Sequence, residues 1–255
     1  MQVTPAGPFD SPAPQAAASA AGRRRDALLV GLTFAAGVVD AVSFLGLGQI
    51  FTANMTGNVV FLALAVGERS ALTALHSVGA LVGFSVGAIV AGQILARPRP
   101  AGVWPRRVTT LLSGELACMV AFAALWAWLG GRPVGDVLYA VIGLSSFGMG
   151  IQNAAARHVA VPGLTTTVIT GALTGFMVDL PALGVAGPSQ RRAGWAVAAL
   201  FSGAAVGATL MVYARVLAPF VTVVAVGAVT FAAIAWFGRA GPVTMQPPDA
   251  AARAG

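Results

Sequence analysis

The chain has 255 residues, of which 57% are apolar and only 9% charged. A soluble domain carries about 25% charged residues, so most of this surface is adapted to lipid rather than water. The net charge of +7 does not indicate nucleic acid, because every basic residue is an arginine and most stand in short loops, the pattern that retains loops on the cytoplasmic side of a membrane.

Residues 1–22 are rich in Pro, Ala and Ser without a hydrophobic period, which predicts a disordered tail over about 1–25. No basic cluster precedes an apolar core there, so this is not a standard signal peptide. Arg23-Arg24-Arg25 does precede an apolar run, in the manner of a twin-arginine signal. That run carries Asp40 and leads straight into further apolar segments, which points to an uncleaved first helix. Between this tail and a second one at 239–255 lie six long apolar runs: Ala27–Leu47, Thr73–Ala96, Val108–Leu129, Val137–Ala156, Ala193–Tyr213 and Leu217–Phe237. About 20 helical residues cross ~30 Å of hydrocarbon, so each is long enough to span. Two further runs, Phe51–Val66 and Leu164–Leu180, are shorter and polar at their front ends.

Arginine placement discriminates between the ways these runs can thread. If all eight cross from a cytoplasmic N-terminus, nine arginines fall inside and six outside. If the two short runs enter and return on one side, twelve fall inside and only Arg69, Arg132 and Arg215 outside. The positive-inside rule selects the second arrangement. The expected fold is an all-α integral membrane protein, a single bundle over 26–238. It has six spanning helices, two short broken or re-entrant helices, and both termini in the cytoplasm.

The two short runs belong to matched stretches. Gly37-Val38-Val39-Asp40-Ala41 corresponds to Gly150-Ile151-Gln152-Asn153-Ala154 at a spacing of 113, and Thr56-Gly57 to Thr170-Gly171 at 114. Gly83-Phe84-Ser85-Val86-Gly87-Ala88 resembles Gly203-Ala204-Ala205-Val206-Gly207-Ala208 at 120. Blocks that keep their order suggest two repeats, about 27–130 and 135–238. Three crossings separate their starts, so the copies face opposite ways. Chance likeness between Gly- and Ala-rich helices is the plainer alternative. Gly79, Gly83 and Gly87 also form a stripe that lets two backbones approach, inside the bundle by default or across a homodimer contact.

Asp40 is fourteenth in its run, ~20 Å from the inner end. A charged Asp at a helix centre costs about 2.5–3.5 kcal/mol on insertion scales, so it must face the bundle interior with a partner or a proton. Either it exchanges a proton during transport, or it only accepts hydrogen bonds from the broken backbone beside it. Asn54, Thr56 and Asn58 compete with the backbone for hydrogen bonds, and Gly57 relaxes the dihedral limits. They predict an unwound stretch, with Asn54 or Thr56 capping a short helix that starts near Asn58. Pro162-Gly163, Thr165, Thr166 and Thr167, then Thr170 and Gly171, repeat the pattern in the second copy. Opposed helix N-termini at mid-membrane favour a carboxylate or another anion. With Gln152 and Asn153 these residues form the candidate solute- or ion-binding set. The alternative is that they satisfy one another and only shape a bend.

Glu115, about two turns into its helix, is placed to pair with Arg106 or Arg107 near the surface. Arg157-His158 follows the second break and is a candidate inner gate or anion contact, although loop retention explains Arg157 equally well. The lone Cys118, among apolar neighbours, reads as packing. One Cys, two His and scattered carboxylates indicate no metal site. The absence of lysine removes a phosphate-binding P-loop, and no nucleophile–base pair marks an enzyme, so no cofactor is expected.

At the breaks the chain resembles a known family. Gly37-x-x-Asp40-Ala41-x-x-Phe44, then Gly48-x-x-Phe51-x-x-Asn54-Met55-Thr56-Gly57-Asn58, is similar to the signature of the YoaK-type bacterial inner-membrane proteins. Gly150-x-Gln152-Asn153-Ala154 and Thr170-Gly171 are similar to that family's other motif. The likeness covers roughly 27–238. It implies a multi-spanning bacterial inner-membrane protein and brings no established substrate. The leading expectation is secondary transport of a small polar or anionic solute, proton-coupled through Asp40. Its rival is a non-transporting membrane scaffold or complex subunit whose polar breaks are structural.

Overall fold

The computed structural model describes residues 12–96, 102–159, 171, 174, 177 and 188–238. It contains seven helices of assigned length: α1 (Pro12–Gly46), α2 (Met55–Glu68), α3 (Ala71–Leu95), α4 (Arg106–Trp128), α5 (Asp136–Val159), α6 (Pro188–Tyr213) and α7 (Ala218–Phe237). All but α2 are long and apolar enough to cross a membrane. No strand occurs among the described residues, and the fold is all-α. The expected tail is corrected over 12–22, which extend α1 as helix. That stretch is mostly alanine, the strongest helix former, and its prolines fall in the first turn, where a missing N–H removes no helical hydrogen bond. Residues 1–11 and 239–255, and most of the short run 164–180, lie outside the described residues.

Two apolar clusters divide the bundle along its axis. One joins Leu28 and Leu29 of α1 to Leu95 of α3, Val108 of α4, Val159 of α5, Ala196 of α6 and Ala233 of α7. We call this the basal end. The other, apical end joins Leu47 to Ala80, Trp126, Val141, Met211 and Ala218. The order of these residues along each helix makes α1, α4 and α6 run towards the apex and α3, α5 and α7 away from it. Helices α1 and α5, which carry the two matched motifs, are therefore antiparallel.

Helix α2 does not change ends. Its 14 residues extend about 21 Å, short of the ~30 Å needed to cross. The start of α3 lies where α1 finishes, since a Cβ on Gly48 would press into the ring of His76. The link is tight: Arg69 closes α2 in the left-handed region, and the Ser70 side chain accepts the Thr73 amide to cap α3. The segment from Gly46 to Ala71 leaves and rejoins the same end of the bundle.

Two helix pairs pack with their backbones in contact. A Cβ added at Gly37 of α1 would meet the Leu200 carbonyl and lie 2.9 Å from the Ala204 amide nitrogen of α6. One added at Gly150 of α5 would meet the Phe84 carbonyl and lie 2.9 Å from the Ala88 nitrogen of α3. Reciprocally, Gly203 faces the Phe34 carbonyl and Gly87 the Phe147 carbonyl. Helix α7 lies along α1 as α4 lies along α5. Gly37 and Gly150 differ by 113, as the motifs do, but Leu200 and Phe84, Gly203 and Gly87, and Ala204 and Ala88 all differ by 116. These contacts pair residues 116 apart, whereas the glycine blocks of the sequence correspond at 120, one helical turn further on. Gly83 and Gly87 face Gly143 and Phe147 of α5 within the chain.

Charge follows the same axis. Arg23, Arg24, Arg25, Arg106, Arg107, Arg157, Arg191 and Arg192 occupy basal helix ends, and Arg69, Arg132 and Arg215 the apical side. Asp26 joins two basal ends, accepting from Arg25 at 3.0 Å and from Arg192 at 2.8 Å.

Candidate functional site

The polar break in the first half is a loop folded back onto its own helix. Past Gly46 the backbone turns through Gly48 (φ 85°) and Gln49 (φ 60°), and residues 50–54 return beside the last turns of α1. Asp40 lies six residues before the helix end, about 9 Å below it. Its Oδ1 accepts the amides of Thr52 at 3.0 Å and Ala53 at 2.8 Å, and its Oδ2 accepts the Asn54 side-chain amide. Non-helical backbone inside a membrane bundle needs partners for its N–H groups, and a carboxylate accepting three donors supplies strong ones.

Asn58 forms the second tie. Its Oδ1 accepts the Phe51 amide at 2.9 Å, and its side-chain amide donates to the Phe51 carbonyl, closing the six residues between them. The rings of Phe44, Phe51 and Phe61 stack outside this closure, with Phe51 centroids 5.4 and 5.8 Å from the other two. A third tie reaches α5: Ser145 donates to the Thr52 hydroxyl at 3.0 Å, and Thr52 lies 3.5 Å from the Ser43 hydroxyl. Ser43 bonds back to the Val39 carbonyl at 2.8 Å.

Several expectations change here. Helix α2 starts at Met55 rather than near Asn58, and Asn54 stands at its N-cap position without a side-chain cap. Its amide is drawn to Asp40 instead. The loop amides expected to point inward for an anion are taken by the Asp40 carboxylate. Thr56 is exposed on α2 and joins nothing at the break. Gly57 is not a helix break: it lies in the first turn of α2, where a Cβ would come within 2.6 Å of the Phe51 ring. Its role is to admit that ring.

The second-half residues do not converge on Asp40. Gln152 is buried and donates to the Leu32 carbonyl of α1 at 3.2 Å, two turns basal of Asp40, and its Oε1 has no protein partner. Asn153, partly buried, occupies on α5 the place that Asp40 holds on α1. Arg157 is exposed at the basal end of α5. Gly171 is helical and exposed, which removes it as a helix break, while Thr166 and Thr170 lie outside the described residues.

Two participants escaped the sequence reading, and one expectation is corrected. Ser43 and Ser145 are buried hydroxyls in the network around Thr52. Glu115 does not pair with Arg106 at the surface. It is fully buried with no protein partner for either oxygen, and Arg106 reaches the Gly238 carbonyl at 3.0 Å. Glu115 shares the inward stripe Leu111, Leu112, Met119, Phe122 and Trp126 of α4, a helical spacing that was available in the sequence.

Asp40 and Asn54 also line a pocket of about 350 Å³ between α1, the returning loop and α6. Its other walls are Gly37, Ala41, Phe44, Leu45, Phe51, Leu200, Ala204 and Ala208. One acid and one amide at the back of an otherwise apolar pocket suit a small molecule with a single polar group.

The chain is 38% identical over 156 residues to the UPF0700 transmembrane protein YoaK of Bacillus subtilis (strain 168), a match covering 61% of this chain and 67% of that protein. No solved structure matches. A family model described as "Protein of unknown function (DUF1275)" matches residues 28–235, the whole bundle from the first turns of the α1 span nearly to the end of α7. This is a multi-pass membrane protein, and it belongs to the DUF1275 family of proteins of unknown function.

Proposed function

We propose that this protein is a secondary transporter of a small polar solute, built from two inverted halves. The observation that carries this reading is the doubled backbone crossing, Gly37 on Leu200 and Ala204 where α1 and α6 both run apically, and Gly150 on Phe84 and Ala88 where α5 and α3 both run basally. Antiparallel copies of one crossing, with an interrupted segment in the first copy, are the arrangement by which many transporters alternate access around a site near the midplane. The eight basal arginines orient the basal end, and with it the N-terminus, to the cytoplasm of a bacterial inner membrane. An anionic solute is disfavoured at the α2 start, since Asp40 already supplies the negative charge there.

A specific observation favours the rival reading as well. The hydrogen bonds of Asp40, Asn54 and Asn58 all close within the loop and its own helices, as a purely structural break would require. Full-length protein in liposomes separates the two. Osmotic shrink–swell light scattering is recorded for amino acids, sugars, polyols and small carboxylates, with and without a pH gradient. Entry of any of these faster than into protein-free liposomes, and slowed by filling the pocket with Ala204→Phe, supports transport. No acceleration across the whole panel, in protein that remains folded, leaves the scaffold reading.

A further inference from the structure

We propose that Glu115 is the proton-carrying group of this bundle. Its carboxyl keeps its proton while α4, α5 and α7 are packed as described, and releases it to water when these helices part. The purpose of the device rests on the transport reading; its test does not.

Glu115 is the tenth residue of α4, about 13 Å from the basal end and between the two apolar clusters. It is 0% exposed, and no protein donor reaches either oxygen. Among the described residues, its charged neighbours are remote on every packed element. On α4 the arginines at 106 and 107 are eight or more residues away, and Cys118 is one turn on. Helix α7 carries no titratable residue. Helix α5 meets this level at Gly148, whose added Cβ would lie 3.9 Å from the Glu115 carbonyl. Its titratable groups, Asp136, Tyr139, Arg157 and His158, are nine or more residues from Gly148, about 13 Å along the axis. Helix α3 touches α4 only slightly and contributes only His76, at the opposite, apical end.

A carboxylate in such a place has nothing in the protein to offset its desolvation, which costs several kcal/mol even after relaxation. The neutral acid does not meet that penalty. Around it the packed helices hold further oxygens without protein partners: Ser146 and the Gln152 Oε1 on α5, and Thr222 and Thr230 on α7. These groups can bind water but cannot neutralise a charge. Ionisation of Glu115 is thereby tied to hydration of this layer, and hydration requires the helices to separate. In the step itself the Glu115 O–H bond breaks, the proton passes to an entering water as hydronium, and the carboxylate left behind is solvated by that water. The reverse step reloads the acid.

The chain contains only two glutamates, Glu68 and Glu115, and Glu68 is exposed at the end of α2. Full-length protein carrying 13C at the glutamate carboxyls, in liposomes, therefore gives two assignable NMR signals. At pH 7 the expected result is one carboxylate and one un-ionised acid. The acid signal should survive Glu68→Gln and Asp40→Asn and vanish in Glu115→Gln; the wild-type and Glu68→Gln spectra suffice if Glu115→Gln fails to fold. In D2O the acid should take up deuterium while the protein stays folded. Two carboxylate signals at pH 7 overturn the inference, as does an acid that never exchanges. A Glu115 signal that moves with sodium at constant pH overturns the choice of proton over metal ion. An exchanging acid with no solute movement sinks the transport reading alone, and solute movement with a non-exchanging acid sinks this inference alone.

Discussion

Asp40 and Glu115 are the same functional group at similar depth in one bundle, and the chain treats them in opposite ways. Asp40 sits beside a break in the backbone and accepts three donors from the loop it holds. Glu115 sits in the middle of an unbroken helix and accepts none. Burial alone thus does not say what a membrane carboxyl is for. A wrapped carboxylate is a fixed charge that organises backbone, whereas a bare one is tolerated only as a neutral acid or in the presence of water.

Four substitutions sharpen or break this contrast, each read by thermal or denaturant unfolding of detergent-solubilised protein. Asp40→Ala has the largest expected effect, a loss of about 3–5 kcal/mol, because two loop amides and the Asn54 side chain lose their acceptor together. Glu115→Leu should move in the opposite direction, a gain of about 1–3 kcal/mol, since a buried polar group without partners gives way to a hydrophobe of similar size. A destabilised Glu115→Leu protein would mean the carboxyl is held by something, and the contrast fails. Asn54→Ala removes one of the three donors and should cost about 1–2 kcal/mol. Thr56→Ala, although inside the same sequence motif, should stay within about 0.5 kcal/mol of wild type, because Thr56 faces outward.

What the sequence made legible tracks the range over which each signal acts. Six spans are visible because a run of about 20 apolar residues is a property of one segment; five recur within five residues of the helices observed, and the first begins fifteen residues earlier, at Pro12. The break is visible for the same reason: Asp40, Asn54 and Asn58 are near in sequence, and they are the residues that bond the loop. Arginine counts found the returning path of α2, since charge sums over whole loops. Spatial relations between helices were less accessible. Gln152 was placed with Asp40 in one binding set and instead bonds α1 two turns away from it. Thr56 was grouped with Asn58 by adjacency, although neighbouring helical positions point about 100° apart. Small residues four apart carry no mark of phase, so the glycine blocks match at 120 while the glycine contacts pair at 116. Glu115 was assigned to the arginines on its own helix, although its spacing from Leu111, Met119 and Phe122 already set it on the inward stripe that packs against α5 and α7.

The contact of Gly37 with the Leu200 carbonyl and of Gly150 with the Phe84 carbonyl has a mechanical consequence. Where main chains touch without side chains between them, one rod cannot ratchet past the other without climbing over a peptide group. Each couple therefore behaves as a stiff plank. The planks meet only lightly through α1 and α5, and the larger contact across the seam is between their flanking helices, α7 and α4. Bulky residues grafted at Gly37 or Gly150 would not stiffen such a machine; they would prise its planks apart.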